Sequence, residues 1–257
     1  MAYNDNPYGQ QPSPYGQTKA SELFPSLWSN PEDLHRATST CLARVFMRMF
    51  AALLVTAAVS FGIYQTPGVL IYLVTNPMLT IVMMVAQIVV VMVLSFRIMK
   101  MSPAVSNVMF FAYAVLTGVT LSFIFISYDL GTIFQAFAIA AMMFIAMSVY
   151  GTITHRDLTG IGSLCLMGLI GIIIASIVSV FVGFSDATYL IINYVAVLIF
   201  VGLTAYHTQR IKNMLAEANA ANEEEAVARI SVYGALALYL SFINLFLRIL
   251  SILYRRR

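Results

Sequence analysis

Charge is scarce in this chain, and acidic charge scarcer still. Among 257 residues there are 14 Lys and Arg and 11 Asp and Glu, a tenth of the sequence. No Asp or Glu falls inside any of its long apolar runs. The buried carboxylates on which intramembrane cation pathways and proton relays usually depend are therefore missing. Two cysteines, Cys41 and Cys165, are too few for a disulfide framework. The three histidines, His35, His155 and His207, lack the cysteine or carboxylate spacing of a metal centre, so no metal site and no cofactor is expected. There is no nucleophile–base set, phosphate loop or nucleic-acid signature, so the chain is read neither as an enzyme nor as a nucleic-acid binder. The first residues have no apolar core, which argues against a cleavable signal peptide.

What is present is apolar. Sixty per cent of the residues are hydrophobic and the mean hydropathy is +0.86, more than a soluble domain of this size could hide. Seven runs approach the ~20 residues an α-helix needs to cross a bilayer, and we place them at 44–64, 77–96, 104–127, 132–153, 161–183, 188–208 and 230–254. The expected fold is an all-α polytopic membrane protein with the bilayer as its first partner. Residues 1–40, rich in Tyr, Gln, Pro, Asn and Ser, are expected to form a disordered cytoplasmic tail, and 41–257 the seven-helix domain. The first run would serve as an uncleaved insertion signal. The stretch Val69 to Val74 is too short to cross and is expected to dip into the interface. Cys165 reads as a small apolar residue of the fifth span.

Ten of the 14 basic residues fall on one side of this scheme, from Lys19 and Arg36 to Arg229, while the alternate connections carry only Asp129 and Asp186. The positive-inside preference then predicts a cytoplasmic N-terminus. Seven full spans leave Arg255, Arg256 and Arg257 on the outer side. A re-entrant last segment would return them, and full crossing is preferred because early charges weigh more.

Polar residues in the last span follow a helical stripe: Gly234, Ser241, Asn244, Arg248 and Ser251 share one face. Such a face is expected to point into protein or a wet cavity. Arg248 reads equally as a snorkelling side chain or a charge lining a pathway, and Ser241 and Asn244 serve as interhelical glue in the simpler account. In the fifth span, Gly171, Ala175 and Ser179 form a small-residue face suited to close helix packing. The loop from His207 to Arg229, with the run Glu223-Glu224-Glu225, reads as a solvated helical continuation. His207 is the one titratable candidate near a span end, either a pH switch or an interfacial histidine with a satisfied hydrogen bond.

Three segments, GTITHRDLTGIGSLCLMGLIG, VLIFVGLTAYHTQRIK and YGALALYLSFINLFLRIL, resemble the Bax inhibitor-1 family, and MSPAVSNVMFFAYAVLTGVTLSFIF matches it more weakly. The resemblance covers nearly everything after the tail. It implies a seven-helix fold with the last helix central and six others around it. It also implies pH-sensitive calcium leak, an association with protection against stress-induced cell death and, for some bacterial members, restraint of a membrane protease. The family usually reads TAYDTQ and LYLDFINLF, an aspartate pair that senses pH. Here those positions are His207 and Ser241. A glutamate usual in the second span corresponds to Gln87, and Arg97 matches a basic residue that latches onto the pair.

The expected gate residues are therefore His207, Ser241 and Arg97, with Gln87, Asn244 and Arg248 as pathway lining. A pair without carboxylates cannot attract a divalent cation as an aspartate pair does, so calcium handling is expected to be lost or rewired. Two functions compete: a leak pathway for calcium or another cation, and a non-transporting regulator of a membrane protease or stress partner. A bacterial cytoplasmic membrane is the favoured location.

Overall fold

The computed structural model describes residues 31–255, and every regular element among them is a helix. In chain order they are α1 (Pro31–Tyr64), α2 (Pro67–Thr75), α3 (Pro77–Arg97), α4 (Pro103–Leu121), α5 (Ile124–Ser127), α6 (Leu130–Ile153), α7 (Thr159–Val182), α8 (Asp186–Ala220) and α9 (Glu224–Arg255). Seven of these are long and apolar enough to cross a membrane, as the hydropathy requires. The short α2 joins α1 to α3 where the interfacial dip is expected. Residues 31–40, assigned by composition to the tail, instead belong to α1, while the part of that assignment over 1–30 lies outside the described residues.

Local chemistry explains most helix starts. Pro67, Pro77 and Pro103 open α2, α3 and α4 at the position where a missing N–H costs nothing. The Ser102, Asp129 and Ser185 side chains accept from the backbone N–H groups of Val105, Thr132 and Thr188, capping α4, α6 and α8. Asp157 forms a similar turn before α7, its Oδ1 accepting from both the Thr159 N–H and hydroxyl. These bonds hold its carboxyl below the usual carboxylate range. The sign follows: the turn is fully stabilised above the ordinary carboxylate pKa and weakens as pH falls through the depressed one. An NMR titration should find the Asp157 midpoint low, and Thr159→Val should raise it.

Helices α1, α8 and α9 run 34, 35 and 32 residues, about 50 Å at ~1.5 Å per residue, against a hydrocarbon core of ~30 Å. All three overshoot at the basic end. The α8–α9 turn there includes Asn222 with φ +56, a left-handed position that asparagine tolerates better than most. The Glu223-Glu224-Glu225 run is exposed, and Arg229 pairs with Glu225 at 2.6 Å on one turn of α9.

The last helix forms the core. Of the most apolar 18 residues in each span, 56% are buried in α9 and 6% in α3. It packs mainly on α8, α1, α6 and α4, whereas α3 rests on α4 and α7 rests on α8. The centre is thus gripped by four helices, and the remaining two stand off at its flanks. A buried polar join ties three of them: Thr56 Oγ1 donates to the Ala114 carbonyl and accepts from the Tyr239 hydroxyl at 2.7 Å. Tyr239 is fully buried, with Phe110 and Tyr113 edge-on to its ring.

At the far end of α9 one of the three terminal arginines meets a partner, while Arg256 and Arg257 lie outside the described residues. Arg255 forms an ion pair with Asp186, the first residue of α8, and lies 4.7 Å above the Tyr189 ring, while Tyr254 meets Tyr128 edge-on. The helix therefore traverses the whole bundle instead of turning back, and Arg255 is neutralised where it emerges.

The small-residue seam lies elsewhere than expected. Gly171 has open space around it, because that face of α7 turns outward. Instead Gly162 and Gly168 admit Tyr206 and Ile199 of α8, and Gly202 admits the Cys165 thiol. Cys165 is buried there as the small apolar residue it was read to be.

Candidate functional site

Because α3 and α7 sit on different partners, a cavity opens between them with α9 as its floor. Its volume is about 960 Å³. Polar groups gather along that floor and its α8 wall: His207, Ser241, Asn244 and Arg248 all line it, among apolar residues of α3, α7, α8 and α9. Of the stripe deduced for the last span, Ser241, Asn244 and Arg248 face the cavity, whereas Gly234 packs against Ile211 and Val45.

Midway along the α9 floor, between Tyr233 and Arg248, His207 Nδ1 lies 3.2 Å from Ser241 Oγ. Ser241 also donates its hydroxyl to the Ala237 carbonyl at 3.0 Å. A serine has one proton to give, so with that proton on Ala237 the histidine donates from Nδ1. The second ring nitrogen, Nε2, then keeps its lone pair and is where acid would add a proton. Ser241 is 3% exposed and His207 is half-buried. Tyr206 packs against the imidazole at 5.6 Å between ring centroids, and Arg210 lies one turn further along α8.

Further along α9, the Arg248 guanidinium donates to Asn193 Oδ1 at 3.2 Å, and the Asn193 amide donates to Ser251 Oγ at 3.0 Å. Fourteen residues separate His207 from Asn193 on α8, about 21 Å, but only seven separate Ser241 from Arg248 on α9, about 10 Å. The long arginine side chain bridges the difference by reaching along α8 to Asn193. Asn244 donates to the Leu240 carbonyl of its own helix at 2.8 Å and presents the rest of its amide to the cavity.

Two expected members are elsewhere. Gln87 donates to Thr120 Oγ1 at 2.9 Å and fastens α3 to α4 instead of lining the cavity. Arg97, at the end of α3, is exposed, and its guanidinium has no hydrogen-bond or ionic partner among the described residues. With no aspartate at 207 or 241 to draw it inward, water solvates it more cheaply. Asn193 was overlooked, although its seven-residue spacing to Phe200 and His207 marks the same face of α8. No group of three or more His, Cys, Asp or Glu able to hold a metal ion occurs among the described residues.

A single match decides which family shares this arrangement: residues 38–257 fit Bax1-I, "Inhibitor of apoptosis-promoting Bax1". The chain belongs to the Bax1-I family. Among its relatives is "Inner membrane protein YbhL" of Escherichia coli strain K12, 43% identical over 218 residues, which cover 85% of this chain and 92% of YbhL. A Borreliella burgdorferi protein is 40% identical over 216 residues, covering 84% of this chain and 92% of its own length. One from Deinococcus radiodurans is 38% identical over 213 residues, 83% and 89% of the two chains. The Bax1-I match begins inside α1 and takes in all seven spans, so the cavity and its polar floor lie wholly within the shared region.

Proposed function

We propose that this protein is a Bax inhibitor-type leak pathway of a bacterial cytoplasmic membrane, closed toward the cytoplasm by the His207–Ser241 contact and poorly suited to calcium. The observation carrying this reading is that contact, which joins α8 to α9 within a cavity running along the central helix. The N-terminus is assigned to the cytoplasm because the basic residues gather at that end.

Calcium prefers six to eight oxygen ligands with carboxylates among them. Here the cavity lining contains no carboxylate and one permanent cation, Arg248. A divalent ion entering it loses hydration without charge compensation. Acid would add a proton at His207 Nε2 and place a second positive charge between Arg210 on its own helix and Arg248 on α9, with only neutral Tyr113 and Tyr233 among the other titratable lining groups. Repulsion would then loosen the α8–α9 contact.

Proteoliposomes holding a calcium dye, and in parallel a monovalent-cation dye, provide the test between pH 3.5 and 8. Calcium entry is expected to stay near the empty-liposome level, with monovalent leak rising in acid and His207→Ala removing that rise. Rapid calcium entry through the unaltered chain, insensitive to His207→Ala, would refute the proposal. The same missing carboxylates favour one second reading, a non-transporting regulator of a membrane protease or stress partner. Liposomes silent for both ions, together with co-purification of such a protease, would select it.

A further inference from the structure

The outer half of the cavity holds a cation with no counter-charge among the described residues. Arg248 is half-buried, and of its five N–H donors one has a protein acceptor, the neutral Asn193 amide oxygen. The two carboxylates at that end of the bundle are already engaged: Asp186 pairs with Arg255, and Asp129 accepts from the Thr132 N–H and hydroxyl. Every other Asp and Glu of the described residues lies at the opposite, basic end. A guanidinium held within a membrane-spanning bundle calls for an anionic partner, and none of the described residues supplies one.

The shape of the cavity indicates where a partner would come from. Its side walls, α3 and α7, pack on α4 and α8 and leave a lateral opening toward lipid. Lining residues on both walls are themselves lipid-facing, with Ile88 58% and Ile177 57% exposed. The volume of about 960 Å³ falls in the ~300–1,000 Å³ range of small-molecule sites. The lining is mostly apolar along α7, through Leu166, Leu169, Ile172 and Ile173, with the Ser176 hydroxyl donated to the Ile172 carbonyl. Its polar groups concentrate on α9 at Ser241, Asn244 and Arg248. A site that is greasy along its length, charged at one end and open sideways to the bilayer matches a single-chain amphiphile with a singly charged planar head.

We propose that the cavity binds a long-chain carboxylate drawn from the bilayer, its head paired with Arg248 and its chain lying against α7 and α3. One guanidinium matches one carboxylate in charge and fork geometry. Asn193 positions the guanidinium from behind, held in turn by Ser251. The bound carboxylate supplies the negative charge that the protein's own side chains omit. This inference is independent of ion leak and would stand if the protein conducts nothing.

The test uses the full chain in nanodiscs, with radiolabelled palmitate as the probe. Saturable binding is expected, weakened about tenfold or more by Arg248→Gln and by a smaller factor by Arg248→Lys, which keeps the charge and loses the fork. Hexadecanol, acetate and dipalmitoyl phosphatidylglycerol separate the sources of affinity. The proposal predicts that none of the three displaces palmitate at equal concentration. Displacement by hexadecanol would mean an apolar groove only, by acetate a free-anion site, and by the phospholipid a phosphate-head site, each overturning it. Should the arginine variants fail to fold, a diazirine-bearing palmitate on the unaltered chain decides the matter. Crosslinks on α7, α3 and α9 support the site, and crosslinks scattered over the lipid-facing helices refute it.

Discussion

Aspartates placed at both positions, His207→Asp with Ser241→Asp, are expected to raise calcium entry into proteoliposomes by about tenfold or more and to make it pH-dependent. The wild-type side chains approach within 3.2 Å across α8 and α9, so two carboxyl groups there would share one site. Like charges that close cannot both ionise freely, and one proton is retained to a raised pKa. Below that pKa the shared proton bridges the helices. Above it the pair repels itself and becomes a ligand set for a divalent cation. Calcium should therefore protect the double variant against heat at alkaline pH and have little effect in acid. Either single variant should fall well short, because one carboxylate leaves most of the dehydration cost uncompensated. A double variant as silent to calcium as the wild type would show that Arg248, or the cavity's outer end, sets the barrier.

The second large effect concerns the scaffold. A Cβ on Gly151 would overlap the Ala205 carbonyl oxygen, and the neighbouring Ala205 backbone atoms lie 3.0 Å from the same point. The obstruction is main chain, so no rotamer can relieve it, and α6 must move off α8. Overpacking of this kind costs about 1–3 kcal/mol, occasionally more. The nearby Lys212 Nζ bond to the Thr152 carbonyl, 2.8 Å long, should be lost with it. Gly151→Ala is expected to lower the unfolding temperature in detergent substantially, whereas Gly171→Ala, which faces open space, should leave it unchanged. Similar losses from both would mean the α6–α8 seam is looser than this geometry requires.

The candidate site was partly legible before any tertiary structure. The spacing of Gly234, Ser241, Asn244, Arg248 and Ser251 marked a polar face on the last helix, and its middle three members line the cavity, while Gly234 packs on Ile211 and Val45. The pairing of His207 with Ser241 rested on resemblance to the family alone, because linear depth placed one near mid-membrane and the other near its edge. Helix α8 runs on to Ala220 and α9 begins at Glu224, which brings the two residues level. Arg97 and Gln87 were misassigned because resemblance transfers a position without its partner. With no aspartate to meet it Arg97 stays exposed, and Gln87 finds Thr120 instead. Asn193 carried a periodic signal but appears polar only in isolation, and its importance comes from Arg248 on another helix.

By itself the sequence determined the number of spans, their limits to within a few residues in most cases, and the end of the bundle that carries the basic charge. These depend on quantities summed along the chain: hydropathy over about 20 residues, proline and serine at helix starts, the tally of Lys and Arg per connection. The tertiary structure alone decided which face of each helix meets a neighbour. It set the α7 seam on Gly162 and Gly168 and not on Gly171, turned His207 toward Ser241, and held α3 and α7 apart so that the cavity exists. In a bilayer nearly every face of these helices is apolar, so hydrophobicity cannot choose among them. Close backbone approach and a few polar contacts between helices make that choice, and neither is written in any single segment.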